Sequence, residues 1–427
     1  MKLAEFIENE HSRLDGDDKL LVTLLGSNIS EDLIEKINKL SWADWDSLID
    51  KSIMHGVSSL IWESIQSFKK QIIIPELVAE KMVNYQIQNA GRGIIIHNQL
   101  ITLLTELKEK CIPVIILKGA HLAEIIYKDL SLRQMMDIDI LVKEKDLEQV
   151  NNSLMRIGYE HVFIDRTNPK RNYQFPYSPP KSGVRLEVHT SLRSLILPGA
   201  MDEKALWERA QSVEIGGIEA LALTPEDLLL HLCYHVSYHL YVHFGLRSLV
   251  DISEIINYYG ENINWKEIIN HAHKYNITKC VFVALILVRK FLNTKIPENV
   301  LAQLLPDDFN KSIIKWAESQ IFMSSGRINI RSQKIPELIH SSSIFKKVVV
   351  VIKGIFPSKG MIAREYKVKS DSIQIFYYYL VHIKDLIRRH HQTVRKLLTH
   401  DKDTIDITRG EFQREQERRA LQEWFVK

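Results

Sequence analysis

Two carboxylates set two residues apart inside an apolar run, Asp137 and Asp139 in Arg133-Gln-Met-Met-Asp-Ile-Asp-Ile-Leu-Val142, constrain this chain more than any other feature. In a β-strand, side chains two apart share a face, so the acids stand side by side while Ile138 and Ile140 point the other way. Adjacent like charges repel, and on a partly buried face each also loses hydration. A positive group is expected between them. A divalent cation is the simplest one, since Mg²⁺ takes one or two carboxylates, keeps waters and accepts phosphate oxygens. A half-exposed strand whose outer face carries acids is the other reading, and the flanking residues must decide between the two.

The rest of the chain sets the frame. Its 427 residues, 45% hydrophobic and 26% charged, suit a globular protein with two or three cores and exclude disordered and fibrous classes. The segment Met1-Lys-Leu-Ala-Glu-Phe-Ile-Glu-Asn-Glu carries acids where a signal peptide carries a basic and then an apolar stretch. No uncharged apolar run approaches membrane-spanning length, so a cytoplasmic protein is expected. Cys111, Cys233 and Cys280 are odd in number and widely spaced, which argues against disulfides and zinc thiolates.

Periodicity predicts three regions. Residues 1–110 read as helical, with Ser30-Glu-Asp opening one helix, a break near His55-Gly56, and a long helix from Glu76 to Lys110. Residues 111–222 read as an α/β core. Val114-Ile-Ile-Leu117 is a short β-branched run, Ala120 to Tyr127 a short helix, Met136 to Val142 the acidic strand, Lys145 to Ile157 a helix closing at Gly158, and Arg185 to His189 a further strand. From Thr224-Pro-Glu-Asp onward, within a region 223–427, the pattern is helical again. The expected fold is α+β, a small mixed sheet flanked by N-terminal and C-terminal helices.

Chemistry concentrates in the core. One strand ends in Lys118-Gly119 and a short helix follows; the next strand carries Asp137 and Asp139, and a third carries Glu187. Glycine at a strand-to-helix turn admits a phosphate close to the backbone, and free N–H groups at the helix start favour an anion. Three carboxylates on two strands facing such a cradle are what two Mg²⁺ ions need for in-line phosphoryl transfer.

Lys118-Gly119, Arg133, Met136-Asp-Ile-Asp-Ile-Leu-Val142, Leu154 to Tyr159 and Leu186-Glu-Val-His189 together resemble nucleotidyltransferases of the polymerase-β superfamily. His55-Gly56-Val57 and Ile112-Pro113-Val114 resemble that family's N-terminal portion, and His235 with Leu246-Arg247-x-Leu-Val-Asp251 its helical C-terminal portion. The resemblance implies that Asp137, Asp139 and Glu187 bind metal, with Glu187 a base for the acceptor hydroxyl. It implies that Lys118, Gly119 and Arg133 handle the triphosphate; His189, two residues after Glu187 and so on the same strand face, is expected to orient substrate. The implied cofactor is two Mg²⁺ ions, with Mn²⁺ as a substitute, and the implied partners are a nucleoside triphosphate and an unidentified acceptor, a small molecule or peptide such as those of natural product biosynthesis.

Two further patterns compete for function. His231, His235, His239 and His243 recur every four residues, but a strict i+4 stripe drifts around a 3.6-residue helix, so all four cannot meet at one ion. Asp251 with Arg247 reads as a helix ion pair at i and i+4. From Lys346 to His400, twelve Lys or Arg face only Glu365, Asp371 and Asp385, a local +9; with a chain total of +3, that leaves −6 elsewhere. This basic face raises the alternative of a nucleic-acid binder, and the bare fold that of a catalytically silent binding protein. Aromatic interleaving there is confined to the one block Phe376-Tyr-Tyr-Tyr379, which favours the enzyme.

Overall fold

In the computed structural model, which describes residues 14, 16–26, 30–162, 174–180, 183–193, 199–239, 245–322, 356–366, 368, 372–398 and 402–427, side-chain caps set the first helices. After α1 (Gly16–Leu25), Ser30 accepts from the Leu33 N–H to open α2 (Glu31–Asn38). Ser41 and Asp44 form a reciprocal capping box at α3 (Trp42–Met54). The break at His55-Gly56, where Gly56 takes φ +67°, leads into α4 (Ser58–Ser67). The long helix is α5 (Glu76–Glu109).

A mixed seven-stranded sheet follows, ordered β3-β4-β5-β2-β1-β7-β6. Its strands are β1 (Ile115–Ile116), β2 (Asp137–Leu141), β3 (Glu160–His161), β4 (Gln174–Ser178), β5 (Arg185–His189), β6 (Gln211–Ile215) and β7 (Ile218–Ala222). Between β1 and β2 lies α6 (Lys118–His121), which runs on as a π-helical turn over Leu122–Tyr127. Between β2 and β3 lies α7 (Leu147–Arg156), closed by Gly158 at φ +90°. β2 runs parallel to β5 and antiparallel to β1. The parallel register sets Asp139 opposite Glu187 and Leu141 opposite His189.

Alternation along β2 and β5 divides the residues between the two sheet faces. Ile138, Ile140, Leu186 and Val188 enter a core with Ile96, Leu100, Leu103 and Leu107 of α5 and Val150 and Leu154 of α7. Burying each such side chain contributes roughly 1.5–3 kcal/mol. The opposite face carries the acids. The fold is therefore α+β, as expected, but β3, β4 and the β6–β7 hairpin are strands that the periodicity did not predict.

Among the described residues, ten further α-helices follow β5. α8 (Glu203–Arg209) precedes the hairpin, and Thr224 caps α9 (Pro225–Tyr238) by accepting from the Asp227 N–H. Then come α10 (Arg247–Tyr259), α11 (Trp265–Lys274), α12 (Thr278–Leu292), α13 (Glu298–Leu304) and α14 (Lys311–Ile321). Clustering by proximity gives one unit of residues 1–322 with 424–427, and a second of 323–423. The second unit holds α15 (Lys359–Glu365), α16 (Gln374–Leu398) and most of α17 (Lys402–Val426). Within it the Tyr366 hydroxyl donates to Asp385, 3.2 Å away, and Phe376, Tyr377 and Leu380 are exposed. Much of the basic face lies outside the described residues, including Lys346, Lys347 and the side chains of Arg389, Arg395 and Lys396. Among the described residues no helix is long and apolar enough to cross a membrane.

The break after α3 docks onto the start of α10. The buried His55 takes the Leu246 N–H on Nδ1 at 3.4 Å, and its carbonyl accepts from the Arg247 N–H at 3.3 Å. Burial, assisted by the nearby Lys51 charge, lowers the His55 pKa to about 4. A histidine of about 6.5 in the unfolded chain and about 4 in the folded one gives stability that is full above pH 6.5 and lost as pH falls through that interval. Between pH 7 and 5 this one group is expected to remove about 2 kcal/mol. In urea unfolding, His55→Gln should be less stable than the parent at pH 7 yet lose less on acidification; an equally steep decline in the variant would exclude His55 as a source.

Candidate active site

Strand register places the acidic cluster. Asp137, Asp139, Glu187 and His189 share the sheet face that α5 leaves uncovered, because β2 and β5 run parallel with 139 opposite 187. Asp139 is buried, and a lone buried carboxylate would be costly. Two groups stabilise it: Lys118 Nζ lies 3.0 Å from its Oδ1, and His189 Nε2 lies 2.8 Å from the same oxygen. Burial alone would raise the Asp139 pKa, but the Lys118 ammonium and the His189 hydrogen bond outweigh it and hold the carboxyl below the usual carboxylate range. Asp137 is half-buried. Burial first, and then the charge of Asp139, push its carboxyl up to about 6. Glu187 receives the Gln174 side-chain N–H, and its Oε2 stands 4.0 Å from His189 Nε2.

Lys118 reaches Asp139 from an unusual backbone. Its φ is +42°, a left-handed conformation that costs a non-glycine residue on the order of 1 kcal/mol, at the point where β1 turns into α6. Gly119 is required for a different reason. A Cβ there would sit 2.6 Å from Arg133 Nη1, so the glycine makes room for that guanidinium. Arg133 is buried and donates through Nε and Nη2 to the two oxygens of Asp251, at 2.9 and 2.7 Å, while the Tyr127 hydroxyl donates to Asp251 Oδ1 at 3.0 Å. Asp251, read above beside Arg247, thus receives both N–H groups of Arg133 from across the fold. Arg247 donates through Nη1 to the Gln134 carbonyl at 3.0 Å.

The seven residues singled out in the sequence therefore group as follows. Asp139, Glu187 and His189 bring ligand atoms within 4.8 Å of one another, the one such group that could hold a metal among the described residues. Asp137 lies outside that group but is close enough for Asp139 and Glu187 to act on its charge. Lys118 joins through Asp139, and Gly119 and Arg133 lie behind it. The histidine stripe of α9 comes near the same place. His231 is buried with neither ring nitrogen hydrogen-bonded, and burial with the nearby charges of Lys118 and His189 lowers its pKa to about 3. The His231 and His235 ring centres are 5.9 Å apart and those of His235 and His239 are 4.6 Å apart; His243 lies outside the described residues. Neither the Arg133–Asp251 pair nor the approach of His231 to Asp139 was legible in sequence, because both depend on contacts between residues about a hundred positions apart.

Residues 41–293 match the family model described as uncharacterised nucleotidyltransferase. Comparison with curated proteins gives no match. Among solved structures the chain is similar to the solution structure of the antibiotic-resistance factor ANT(2'')-Ia, at 11% identity over 43% of this chain and 94% of that one, with a TM-score of 0.33. It is similar to the crystal structure of ANT(2'')-Ia in complex with adenylyl-2''-tobramycin at 10% identity, 42% and 96% coverage and a TM-score of 0.32. A tRNA-processing enzyme in apo form I gives 12% identity, 82% and 99% coverage and a TM-score of 0.22.

Replacing Gly119 by alanine is expected to push the Arg133 guanidinium off Asp251. Overpacking and a weakened buried pair together should lower stability by about 2 kcal/mol. Urea unfolding reads this directly, and a Gly119→Ala variant within about 0.5 kcal/mol of the parent would contradict the tight fit.

Proposed function

The chain belongs to the uncharacterised nucleotidyltransferase family, and from that premise we propose that it transfers a nucleoside monophosphate from a nucleoside triphosphate to an acceptor hydroxyl or phosphate at the β2–β5 face. The acceptor oxygen attacks the α-phosphorus, the bond from that phosphorus to the oxygen bridging to the β-phosphorus breaks, and pyrophosphate leaves. The acceptor proton passes to Glu187, a carboxylate at the edge of the cluster with one oxygen 4.0 Å from His189. His189 orients the acceptor, since its ring already lies between Asp139 and Glu187.

A buried set of two carboxylates and an imidazole, with Asp137 close by, fits a divalent cation in donor type. Asp137, Asp139 and Glu187 would hold Mg²⁺, which would supply charge neutralisation for the triphosphate and the phosphorus in flight. Lys118 serves as the mobile cation. Its ammonium, now on Asp139, can exchange that carboxylate for a phosphate oxygen. Gly119 makes room for the Arg133 guanidinium, which its Asp251 pair fixes as a positive group next to the turn that carries Lys118, on the triphosphate side of the site.

The observation that carries this reading is the parallel register that sets Asp139 opposite Glu187, with Lys118 on the Asp139 carboxylate. Supplying each nucleoside triphosphate labelled at the α-phosphate, with Mg²⁺ and candidate acceptors from a lysate, should yield pyrophosphate and a labelled product. Asp137→Asn and Asp139→Asn should each cut turnover about a thousandfold, roughly 4 kcal/mol of lost stabilisation, without unfolding the protein. Glu187→Gln should lower kcat more than it raises KM. Near-parental turnover in either Asn variant would remove that aspartate from the site.

A further inference from the structure

We propose that His189 is a direct metal ligand, so that the centre of Asp139, Glu187 and His189 is a mixed carboxylate–imidazole site that takes Mn²⁺ in preference to Mg²⁺. This rests on the nucleotidyltransferase reading of the same face and goes beyond it by assigning a nitrogen donor and an ion class.

The distances carry the ligand assignment. Ligands adjacent on an octahedral ion with bonds of about 2.1–2.2 Å are about 3 Å apart, and ligands opposite one another about 4.3 Å. His189 Nε2 is 2.8 Å from Asp139 Oδ1 and 4.0 Å from Glu187 Oε2, so these three atoms span the separations of one coordination sphere. Their backbones are fixed. Asp139 pairs with Glu187 and Leu141 with His189 in the ladder, and the Val142 N–H donates to the His189 carbonyl at 2.9 Å. A preformed spacing on two central strands is a ligand set with little reorganisation left to make.

Donor chemistry carries the ion class. Mg²⁺ prefers oxygen and strips its water reluctantly, whereas imidazole nitrogen suits the first-row transition ions, of which Mn²⁺ is the one that also suits carboxylate and phosphate oxygens. A second imidazole points the same way. His231 is 4% exposed, neither of its ring nitrogens is hydrogen-bonded, and Lys118, His189 and Asp139 are near enough to act on its charge. Buried polar groups are almost always partnered, so His231, like His121, is an exception, and a species bound at the Asp139 carboxylate would satisfy it. Lys118, meanwhile, supplies positive charge to Asp139 in the metal-free chain.

The test uses the full chain and the metal alone. Mn²⁺ and Mg²⁺ are titrated in competition by calorimetry, and pulsed electron paramagnetic resonance on the Mn²⁺ form looks for a directly bonded nitrogen. The expected result is Mn²⁺ binding at least about tenfold tighter than Mg²⁺, with a ¹⁴N coupling that changes when the protein carries ¹⁵N-histidine. His189→Gln, which replaces the nitrogen by an amide oxygen, should abolish the coupling and shrink the Mn²⁺ preference about tenfold; His231→Gln should keep the coupling. No nitrogen coupling in the parent protein overturns the proposal even if His189→Gln fails to fold, as does a coupling lost in His231→Gln and kept in His189→Gln. The two readings fail separately. Labelled product formed with Mg²⁺ alongside a nitrogen-free Mn²⁺ spectrum leaves the transferase and removes the histidine ligand; a nitrogen-bound Mn²⁺ with no transfer to any acceptor does the reverse.

Discussion

The charge on Asp139 is the constraint around which the site is arranged. A carboxylate this deeply buried stays ionised only because an ammonium and an imidazole reach the same oxygen, Lys118 at 3.0 Å and His189 at 2.8 Å. Each partner imposes a local requirement. Lys118 takes a left-handed backbone at the end of β1, and His189 must share a sheet face with Asp139, which the parallel β2–β5 pairing provides. Removing either partner leaves a buried charge less compensated, which typically costs several kcal/mol, so strand order, register and turn conformation are coupled through one oxygen atom.

A second buried pair ties the start of β2 to the helical part of the same unit. Arg133 sits just before β2, Asp251 lies in α10, and their two hydrogen bonds, joined by the Tyr127 hydroxyl, connect the loop before the acidic strand to the helical part. The His55-Gly56 turn meets the start of α10 from the other side. Glycine recurs where these backbones close in: a Cβ on Gly56 would meet Gln134 and Arg247, one on Gly245 would meet His55, and one on Gly119 would meet Arg133. Helices before and after the sheet are therefore part of what supports the β2–β5 face. The family match over residues 41–293, which takes in helices on both sides of the sheet, agrees with that arrangement.

How much of this was readable in the chain depended on the range of the interaction. Local signals worked: Ser30 and Thr224 cap helices where expected, Gly158 ends α7, and the alternation in Arg185 to His189 gives a strand with Glu187 and His189 on one face. The β6–β7 hairpin had a signal that went unread, Gly216-Gly217, both at positive φ as a tight two-residue turn needs. β3 is too short to show a period, and Pro176 interrupts β4, so those strands exist through pairing alone. The metal-competent cluster was half visible. Spacing alone set Asp137 beside Asp139, whereas the convergence of Asp139 with Glu187 and His189 required the parallel register, and Asp251 as the partner of Arg133 required a contact across 118 positions.

The most direct test of the central claim, that the β2–β5 face binds a nucleoside triphosphate over a divalent ion, is a crystal structure with Mn²⁺ and a non-hydrolysable nucleoside triphosphate, read by the anomalous scattering of manganese. The expected result is an anomalous peak within bonding distance of Asp139 and Glu187, with Lys118 Nζ moved from Asp139 to a phosphate oxygen. A nucleotide bound with no manganese at those carboxylates, or bound along the basic segment of residues 346–400, would contradict it.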